Sequence, residues 1–375
     1  MRSTLLRGRI VGVAIVLLSL SALFWAGCSN DNPTNSDSIG VDSETTADTS
    51  PYSPRIRSVF EVQNRHTADL LASDNVVGTA TGLDENGEPI ILIYTIEAAS
   101  KGALPSELDG IRVRHEVTGR FVAMKGKPGG GGVDPKAKQT PPVQMGTSGG
   151  WRHDLANGYC CAGTLGSLVQ IGNSKYVLSN YHVLEADIVN GGNGRTASNG
   201  DPIIQPGLID VNCSASAAQD VATLSLKHSL PGSNVDCAVG QVIPGMVDET
   251  GAILSIGTIS SSTVAAFIGQ DVKKMGRTSG LGRSSVSGLN ANVNIAYENE
   301  CAGGSAFTKL FTGQIVIANR GSKFLAGGDS GSLMVEDVSS NPRAVGLLYA
   351  GSSTSAIANP IDDVLDFLNA TMVGN

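Results

Sequence analysis

Apolar positions along the chain fall into short runs that are separated by glycine-rich and polar turns. Typical runs are residues 90–94, 220–226 and 236–242, while residues 111–117 alternate between apolar and polar positions. Runs of this length, bounded by turn residues, are typical of β-strands. The composition agrees, because 47 of the 375 residues are glycine and only 5% are aromatic. The pattern predicts a mainly β chain.

Two segments have a helical period instead. Apolar residues recur at helical spacing near each end of the chain: Val59, Val62 and Leu70 near the first, and Ile361, Val364, Leu365 and Leu368 near the second. The first segment predicts a helix that precedes strands, which together form a small α+β domain over residues 56–124. The second predicts a terminal helix with Asn359 as its N-cap and Pro360 in its first turn.

A segment rich in glycine and proline, residues 125–144, separates this small domain from the rest of the chain. Its composition predicts a linker. The remaining residues, 145–375, are enough for a second, larger domain. The role of the small domain stays open between a packing module and an inhibitory, propeptide-like module.

A serine near the carboxyl end of the chain stands among small residues. Residues 327–332 read Gly-Gly-Asp-Ser-Gly-Ser, and the apolar residues 333–335 follow, so the turn leads into a buried strand. Small neighbours let a substrate approach the hydroxyl of Ser330 closely, as a nucleophile in acyl transfer requires. The same letters also occur in ordinary turns, so Ser330 needs a partner before it counts as a nucleophile.

Among the five histidines, His182 has the context of a catalytic base. A predicted strand, residues 175–179, runs into Asn180-Tyr181-His182 before a short helical turn, which places the imidazole at a strand end. The other four lie in a predicted helix, an alternating strand or polar loops: His66, His115, His153 and His228. A histidine that precedes the serine is one of the orders that Ser–His–Asp hydrolases use.

Two aspartates between His182 and Ser330 stand at the head of apolar strands and could orient the imidazole. Asp236 lies 54 residues after His182 and 94 before Ser330, whereas Asp220 lies 38 after and 110 before. In hydrolases with the order His, Asp, Ser, these gaps are about 45 and about 90 residues. The spacing favours Asp236 over Asp220.

Six short motifs carry a family resemblance: residues 162–166 (AGTLG), 178–183 (LSNYHV), 200–207 (GDPIIQPG), 234–239 (NVDCAV), 274–280 (KMGRTSG) and 327–332 (GGDSGS). They resemble the chymotrypsin-fold (trypsin-like) serine peptidases, and within these the bacterial group related to the plant NARROW LEAF1 proteins. The resemblance covers most of residues 56–375. Two positions depart from that group, since Tyr181 stands where Asn is usual and Cys237 where Ala is usual.

The resemblance implies a chymotrypsin-like double β-barrel peptidase domain after the small α+β domain. It also implies a triad in which Ser330 is the nucleophile, His182 the general base and Asp236 the residue that orients it. The backbone N–H groups of Gly328 and Ser330 would form the oxyanion hole. Asp329 is expected to hold this turn. No cofactor and no metal are implied.

The sequence says less about substrate preference than about the triad. In the trypsin-like frame the base of the main pocket lies six residues before the nucleophile, at Phe324, and residues 348–352 form the pocket wall. No acidic residue stands at the base, which disfavours a preference for arginine or lysine and favours a small or apolar side chain. Residues 274–280 are basic and glycine-rich but lack the ending of a phosphate loop. We therefore expect a strand and turn there, at the start of the second barrel.

The amino-terminal residues indicate export. A basic segment precedes an apolar stretch, residues 10–26, and Ala26-Gly27-Cys28 is typical of a lipoprotein cleavage site. This predicts a signal peptide over residues 1–27, lipidation of Cys28, and a polar, disordered tether over residues 28–55. An uncleaved membrane anchor is the alternative, because 17 apolar residues are near the lower limit for a span. The predicted location is the bacterial cell envelope, at the outer membrane or cell surface, or outside the cell.

Net charge and cysteine content limit the binding partners, disulfides and metal sites that are expected. The formal net charge of −8 argues against nucleic acid as a partner. Six cysteines minus Cys28 leave five, so at most two disulfides and one free thiol are expected, with no pairing deducible. No pair of cysteines has the spacing of a zinc site. The oligomeric state is not indicated.

Two functions follow from these features. The first is a serine endopeptidase of the bacterial envelope that hydrolyses protein or peptide substrates through the His182, Asp236 and Ser330 triad. The second is a surface-anchored binding or scaffolding protein that keeps a peptidase fold with little or no activity. The complete triad favours the first, because a fold kept only for binding has no chemical need for all three residues. An esterase with the same triad is a third, weaker alternative.

Overall fold

The computed structural model describes residues 47–123, 134–156, 159–185, 197–297, 307–319 and 324–375. Residues 47–375 make up one compact unit. Strands dominate this unit, which confirms the prediction of a mainly β chain. The predicted signal peptide, the lipidation site Cys28 and the start of the tether lie outside the described residues.

The first part of the described chain is an 18-residue helix followed by five strands. Its elements are α1 (Pro54–Leu71), β1 (Val76–Leu83), β2 (Pro89–Thr95), β3 (Glu107–Leu108), β4 (Ile111–Val117) and β5 (Phe121–Ala123). The helix buries Val59, Val62 and Leu70 against β1 and β2, as its apolar period predicts. The division of the chain into domains stays a prediction.

The next part carries nine strands, the short helix α2 and two 3₁₀ helices at Leu208–Val211 and Ala215–Ala217. Its strands are β6 (Thr147–Trp151), β7 (Leu155–Ala156), β8 (Tyr159–Cys160), β9 (Gly163–Leu165), β10 (Ser167–Ile171), β11 (Ser174–Ser179), β12 (Pro202–Gln205), β13 (Gln219–Ser225) and β14 (Ala238–Val242). The helix α2 (Tyr181–Leu184) follows β11.

The last part contains nine strands and a terminal helix. They are β15 (Ala252–Ile253), β16 (Gly257–Thr258), β17 (Asp271–Gly276), β18 (Gly280–Tyr297), β19 (Phe307–Ala318), β20 (Leu333–Glu336), β21 (Ala344–Gly351), β22 (Ser355–Pro360), α3 (Ile361–Leu368) and β23 (Thr371–Met372). β17 and the start of β18 confirm the strand and turn predicted for residues 274–280. The N-cap of α3 is Pro360 and not Asn359, whose side chain is used elsewhere.

Within the described ranges, the strands form two large sheets. The first has eight strands in the order β23-β10-β11-β14-β13-β12-β6-β9. The second has eleven strands and follows the order β17-β20-β21-β22-β19-β18-β1-β2-β4-β3, with β5 paired to both β18 and β21. Because β1 pairs with β18, the strands of the first 77 described residues extend the eleven-stranded sheet. The same sheet contains β20 and β21, the strands that follow Ser330 in the chain.

One apolar core joins the two sheets. It combines residues of β10, β11 and β14 with residues of β17, β20, β21 and α3, among them Leu168, Val239, Leu333 and Leu347. A buried ion pair adds a polar connection, because Arg277 donates to both carboxylate oxygens of Asp210 at 2.6 Å. Arg277 follows β17, and Asp210 lies in the first 3₁₀ helix, so the pair fixes one side of the molecule against the other.

Candidate active site

His182 and Asp236 form a buried pair next to the ends of β11 and β14, two central strands of the eight-stranded sheet. The Nδ1 atom of His182 lies 2.6 Å from Oδ2 of Asp236, and the two side chains are 4% and 0% exposed. The Nε2 atom of His182 is buried as well and has no hydrogen-bond partner among the described residues. The carboxylate thus holds the imidazole by Nδ1 and leaves Nε2 for proton transfer.

Strand pairing explains why residues 54 positions apart meet. β11 ends at Ser179, and β14 begins at Ala238, its antiparallel partner. The residues just beyond these two strand ends, His182 and Asp236, therefore lie side by side. The Nδ2 atom of Asn180 closes the gap by donating to the carbonyl oxygen of Asp236 at 2.7 Å.

Donors from both sheets surround the Asp236 carboxylate. Its Oδ1 accepts from the amide of Tyr181 at 2.8 Å and lies 3.4 Å from the amide of His182. Its Oδ2 accepts from the hydroxyl of Tyr297 at 2.9 Å in addition to the imidazole. These bonds meet the requirement that a buried carboxylate be hydrogen-bonded. The departure from the family pattern at Tyr181 leaves this contact intact, because the backbone makes it.

Ser330 lies in a turn whose backbone requires glycine on both sides. Gly328 and Gly331 have φ angles of 96° and 91°, in the region that favours glycine. A Cβ atom on Gly331 would lie only 2.1 Å from Oγ of Ser179. The turn therefore packs directly against the strand that leads into His182, and the amide of Thr164 in β9 donates to the carbonyl oxygen of Ser330 at 2.8 Å.

The Ser330 hydroxyl is directed to a neighbouring strand. Its Oγ donates to the carbonyl oxygen of Tyr349 in β21 at 3.0 Å. Since Nε2 of His182 has no hydrogen-bond partner among the described residues, the hydrogen bond between serine and imidazole is not formed in this arrangement. Catalytic hydrogen bonds are often long or misaligned until substrate binds.

The peptide unit between Gly327 and Gly328 is oriented by Thr278. The Oγ1 of Thr278 donates to the carbonyl oxygen of Gly327 at 2.6 Å. Because the N–H of a trans peptide points opposite to its C=O, the N–H of Gly328 is turned away from Thr278. In the part of the chain that the structure describes, this N–H has no acceptor. It is therefore free to bind an external oxygen.

A buried lysine fixes the other side of the same turn. Lys274 and Asp329 are both fully buried, with Nζ 3.1 Å from Oδ2. Asp329 also accepts from the amides of Thr278 and Ser279 at 2.8 and 3.1 Å, and from the amide of Ala326 at 2.9 Å. Burial lowers the pKa of Lys274, and the nearby Asp329 charge opposes that shift. The carboxylate holds the turn, as expected for Asp329.

The remaining candidates from the sequence make other contacts. Asp220, the alternative to Asp236, is 41% exposed and forms an ion pair with Arg152. Phe324 is fully buried in an apolar cluster with Met334 and Leu348. The side chain of His66 bonds to an aspartate at the surface, and the imidazole of His228 lies 3.3 Å from Glu185.

The described cysteines include both disulfide-bonded residues and a free thiol. Cys160 is disulfide-bonded to Cys213, 53 residues later. Cys237 is a buried free thiol next to Asp236, and burial raises its pKa well above the usual value, with the Asp236 charge adding to the effect. A high pKa makes a thiol a poor nucleophile at neutral pH. Among the described residues, no group of three or more His, Cys, Asp and Glu side chains is placed to hold a metal ion.

Two residues of the site were missed by reasoning from the sequence. Tyr297 at the end of β18 supplies a donor to Asp236, and burial followed by the Asp236 charge raises its pKa well above the usual value, so it remains protonated. Asn359 accepts from the amide of Asp236 at 2.9 Å and donates to Gln314 at 2.6 Å. Tyr297 stands in no local motif, and the local sequence of Asn359 indicates only a helix cap. The contacts are 61 and 123 residues apart along the chain, and only the sheet brings them together.

The chain is similar to one family model and to several solved structures. Residues 210–359, which include Asp236 and Ser330, match the family model of the Nal1 C-terminal domain. No curated protein matches the sequence. Among solved structures, a glutamic acid-specific serine protease is 17% identical, with a TM-score of 0.40 over 61% of this chain and 100% of its own.

Two further solved structures are similar to the same extent. Protease A of Thermobifida fusca is 16% identical, with a TM-score of 0.40 over 62% of this chain and 99% of its own. A Cellulomonas bogoriensis chymotrypsin is 17% identical, with a TM-score of 0.39 over 62% and 99%. Strands make up most of the described elements, so the mainly β part of the predicted fold class is confirmed. Among the described residues, no helix is both long and apolar enough to cross a membrane.

Proposed function

We propose that the protein is a serine endopeptidase that cleaves protein or peptide substrates by a triad of His182, Asp236 and Ser330. The observation that carries this proposal is the buried His182–Asp236 pair next to the turn of Ser330. Within the described ranges, Nε2 of His182 has no hydrogen-bond partner. Burying a polar atom without a hydrogen bond costs free energy, and Nε2 of His182 is such an atom among the described residues, so a function for it is expected. General base catalysis is the function that also accounts for a serine between two glycines.

The proposed reaction has two stages. His182 Nε2 takes the hydroxyl proton as Ser330 Oγ attacks the substrate carbonyl carbon, and the amides of Gly328 and Ser330 bind the resulting oxyanion. The C–N bond then breaks as Nε2 returns the proton to the leaving amine. In the second stage a water molecule attacks the acyl-enzyme by the same route, which releases the acid and restores Ser330.

Labelling with a small alkyl fluorophosphonate tests this proposal, since such probes react with an activated serine. Wild-type protein of residues 29–375 should be labelled, and Ser330→Ala should not be. Ser58→Ala is the matched control, because Ser58 lies on the exposed side of α1, where its hydroxyl donates to the carbonyl oxygen of Arg55. A folded wild type that resists the probe, or a Ser330→Ala variant that is still labelled, would refute the proposed nucleophile.

One observation favours the binding or scaffolding alternative. The Ser330 hydroxyl bonds to the Tyr349 carbonyl oxygen and not to His182. A permanent arrangement of this kind would leave the serine unreactive. The same labelling experiment separates the two functions, because a scaffold would remain unlabelled with or without Ser330.

We propose in addition that the protein is exported and anchored in a bacterial envelope by a lipid on Cys28, or released. The basic start, the apolar residues 10–26 and the Ala26-Gly27-Cys28 sequence support this. Metabolic labelling with radioactive palmitate in an expressing bacterium tests it. Label in wild type and in Ser29→Ala, with none in Cys28→Ala, is expected. Equal label in Cys28→Ala would contradict lipidation at this residue.

A further inference from the structure

The strand beside the nucleophile offers an edge on which a peptide can pair. The carbonyl oxygen of Tyr349 in β21 accepts the Ser330 hydroxyl, so this residue marks the position of the nucleophile along the strand. Ala350 and Gly351 continue β21 away from that point. We call the edge from Tyr349 to Gly351 the pairing edge. A peptide that adds to an exposed strand edge is held by its backbone, largely independently of sequence.

The chain's own strand β5 lies on this edge. Ala123 pairs with Ala350 and Val122 with Gly351, in antiparallel orientation. Successive residues on a strand advance by about 3.3 Å. Beyond Ala123, the next position on the pairing edge is therefore opposite Tyr349, where Ser330 is bonded. A substrate that paired in the same direction would bring a carbonyl carbon to the nucleophile in this way.

The second edge of β5 is occupied as well. Phe121 and Val122 pair with Ile295 and Ala296 of β18 in parallel orientation. Ala296 directly precedes Tyr297, which donates to Asp236. β5 therefore lies between the strand that supports the acid of the triad and the strand that binds the nucleophile. A substrate backbone cannot enter this position while β5 is in place.

Side-chain packing holds β5 there. Phe121 is fully buried, and its ring meets the ring of Tyr94 in β2 edge to face, with centroids 5.7 Å apart. Tyr94 belongs to a strand that pairs with β1, which in turn pairs with β18. The residues before β5 thus form a support that fixes it on the pairing edge. Val122 and Ala123 are only partly buried, so the contact closest to the nucleophile has the least packing.

We infer that β5 is a built-in competitor of the substrate, so that residues 54–123 inhibit the active site as long as Phe121–Ala123 is paired with β21. This inference rests on the proposed peptidase function. It assigns to the small amino-terminal module the inhibitory role that the sequence left open. It also accounts for a preformed His182–Asp236 pair beside a serine that is bonded elsewhere. Activation requires β5 to leave the pairing edge.

Two probes of different length test the inference on residues 29–375. A small fluorophosphonate needs only Ser330, whereas an Ala-Ala-Ala-Ala diphenyl phosphonate needs the pairing edge too. Val122→Pro removes a backbone donor and disfavours strand pairing, while Val122→Thr keeps a β-branched strand former as the matched control. The ratio of peptidyl to small-probe labelling rates should rise at least about tenfold in Val122→Pro, because apparent affinity scales with the open fraction. Val122→Thr should leave the ratio unchanged.

The outcomes separate the two hypotheses. If the small probe fails on wild type, the proposed function fails and the inference fails with it. If the small probe labels wild type and Val122→Pro alike but the ratio does not rise, the inference alone is overturned.

A measurement on wild type covers the case in which Val122→Pro does not fold. Prolonged treatment with the peptidyl phosphonate should yield an adduct in which the amides of residues 121–123 exchange hydrogen faster than in the adduct of the small probe. Equal protection of these amides in the two adducts would show that peptide and β5 do not compete, and would overturn the inference.

Discussion

The two sheets hold the side chains of the proposed triad in different ways. On the eight-stranded side, the imidazole of His182 is fixed by Asp236 at 2.6 Å, and the carboxylate accepts further bonds from Tyr181 and Tyr297. On the eleven-stranded side, the backbone of the Ser330 turn is fixed by Asp329 and Lys274. The Ser330 hydroxyl itself has turned to the carbonyl oxygen of Tyr349.

The proposed base is therefore already oriented, whereas the hydroxyl of the proposed nucleophile is not. We call His182 with Asp236 and its donors the base side, and the Ser330 turn with Asp329 and Lys274 the serine side. Groups that are already oriented need no reorganisation when charge develops in a reaction. The base side meets this condition, because its bonds are all made within the protein. On the serine side, the backbone of the turn is already oriented, but the Ser330 hydroxyl is not. We therefore expect substitutions on the base side to slow the chemical step, and substitutions under the serine turn to lower stability as well.

Asp236→Asn should have the largest effect, because it removes the carboxylate that holds the His182 imidazole. An amide cannot stabilise the imidazolium and favours the wrong tautomer, and the analogous change in a Ser–His–Asp hydrolase lowers kcat about 10⁴-fold. We expect a loss of this order in the rate of fluorophosphonate labelling. Asp220→Asn is the matched control, because Asp220 is 41% exposed and pairs with Arg152. Equal losses in the two variants would argue against Asp236 as the orienting residue.

Lys274→Met tests the serine side. It leaves the buried Asp329 carboxylate without its cation, and removing one partner of a buried pair costs about 3–5 kcal/mol. The free energy of unfolding in urea should fall by this amount, and the labelling rate of the folded fraction should fall too, because Asp329 holds the turn. The neighbouring Lys273→Met should cost much less, since Lys273 is paired with Asp337, which is 22% exposed. A Lys274→Met variant as stable as Lys273→Met would contradict the role given to this pair.

The same contrast explains what could be predicted from the sequence. The residues of the proposed triad stand in local patterns: a glycine turn for Ser330, a strand end for His182, and strand-head spacing for Asp236. The groups that orient them do not. Asn359 has the local sequence of a helix cap, yet its side chain accepts from Asp236, because β22 brings it across the sheet. The pairing of β5 with β21 depends on a three-residue strand, which has no periodicity to detect.

Glu185, which lies near His182 in the chain, should make the stability of the protein depend on pH. It lies three residues after His182 and is 1% exposed, with Oε1 accepting from the amide of Lys227 at 3.2 Å and Oε2 3.3 Å from the exposed His228. Burial raises its pKa to about 7, the Asp236 charge adds to this, and the amides of Lys227 and His228 oppose it. The folded state therefore binds this proton more tightly than the unfolded state, so stability contributed by the protonated group is lost as pH rises from 4.5 through 7.

Glu185→Gln, which mimics the protonated form, should remove that loss. At pH 8 the variant should be more stable than wild type by up to roughly 3 kcal/mol, since each pKa unit corresponds to about 1.4 kcal/mol. At pH 4.5 the two should be equal. Urea unfolding across this range measures the difference. Glu249→Gln, at a carboxylate that is 46% exposed beside Lys175, should give a difference that does not change with pH. A flat difference for Glu185→Gln would contradict the raised pKa.

Tyr297→Phe is the mildest change to the base side. It keeps the ring that stacks on Phe307 at 4.9 Å and meets the imidazole at 5.9 Å, but it removes one of the donors to Asp236. Losing a hydrogen bond to a buried charged group costs about 1–3 kcal/mol. If the hydroxyl positions Asp236, the maximal rate of inactivation by fluorophosphonate should fall roughly tenfold at unchanged probe affinity. Tyr94→Phe is the matched control, because the Tyr94 hydroxyl is buried in the same cluster with no hydrogen-bond partner among the described residues. Loss of stability in Tyr297→Phe at an unchanged rate would assign the hydroxyl to packing alone.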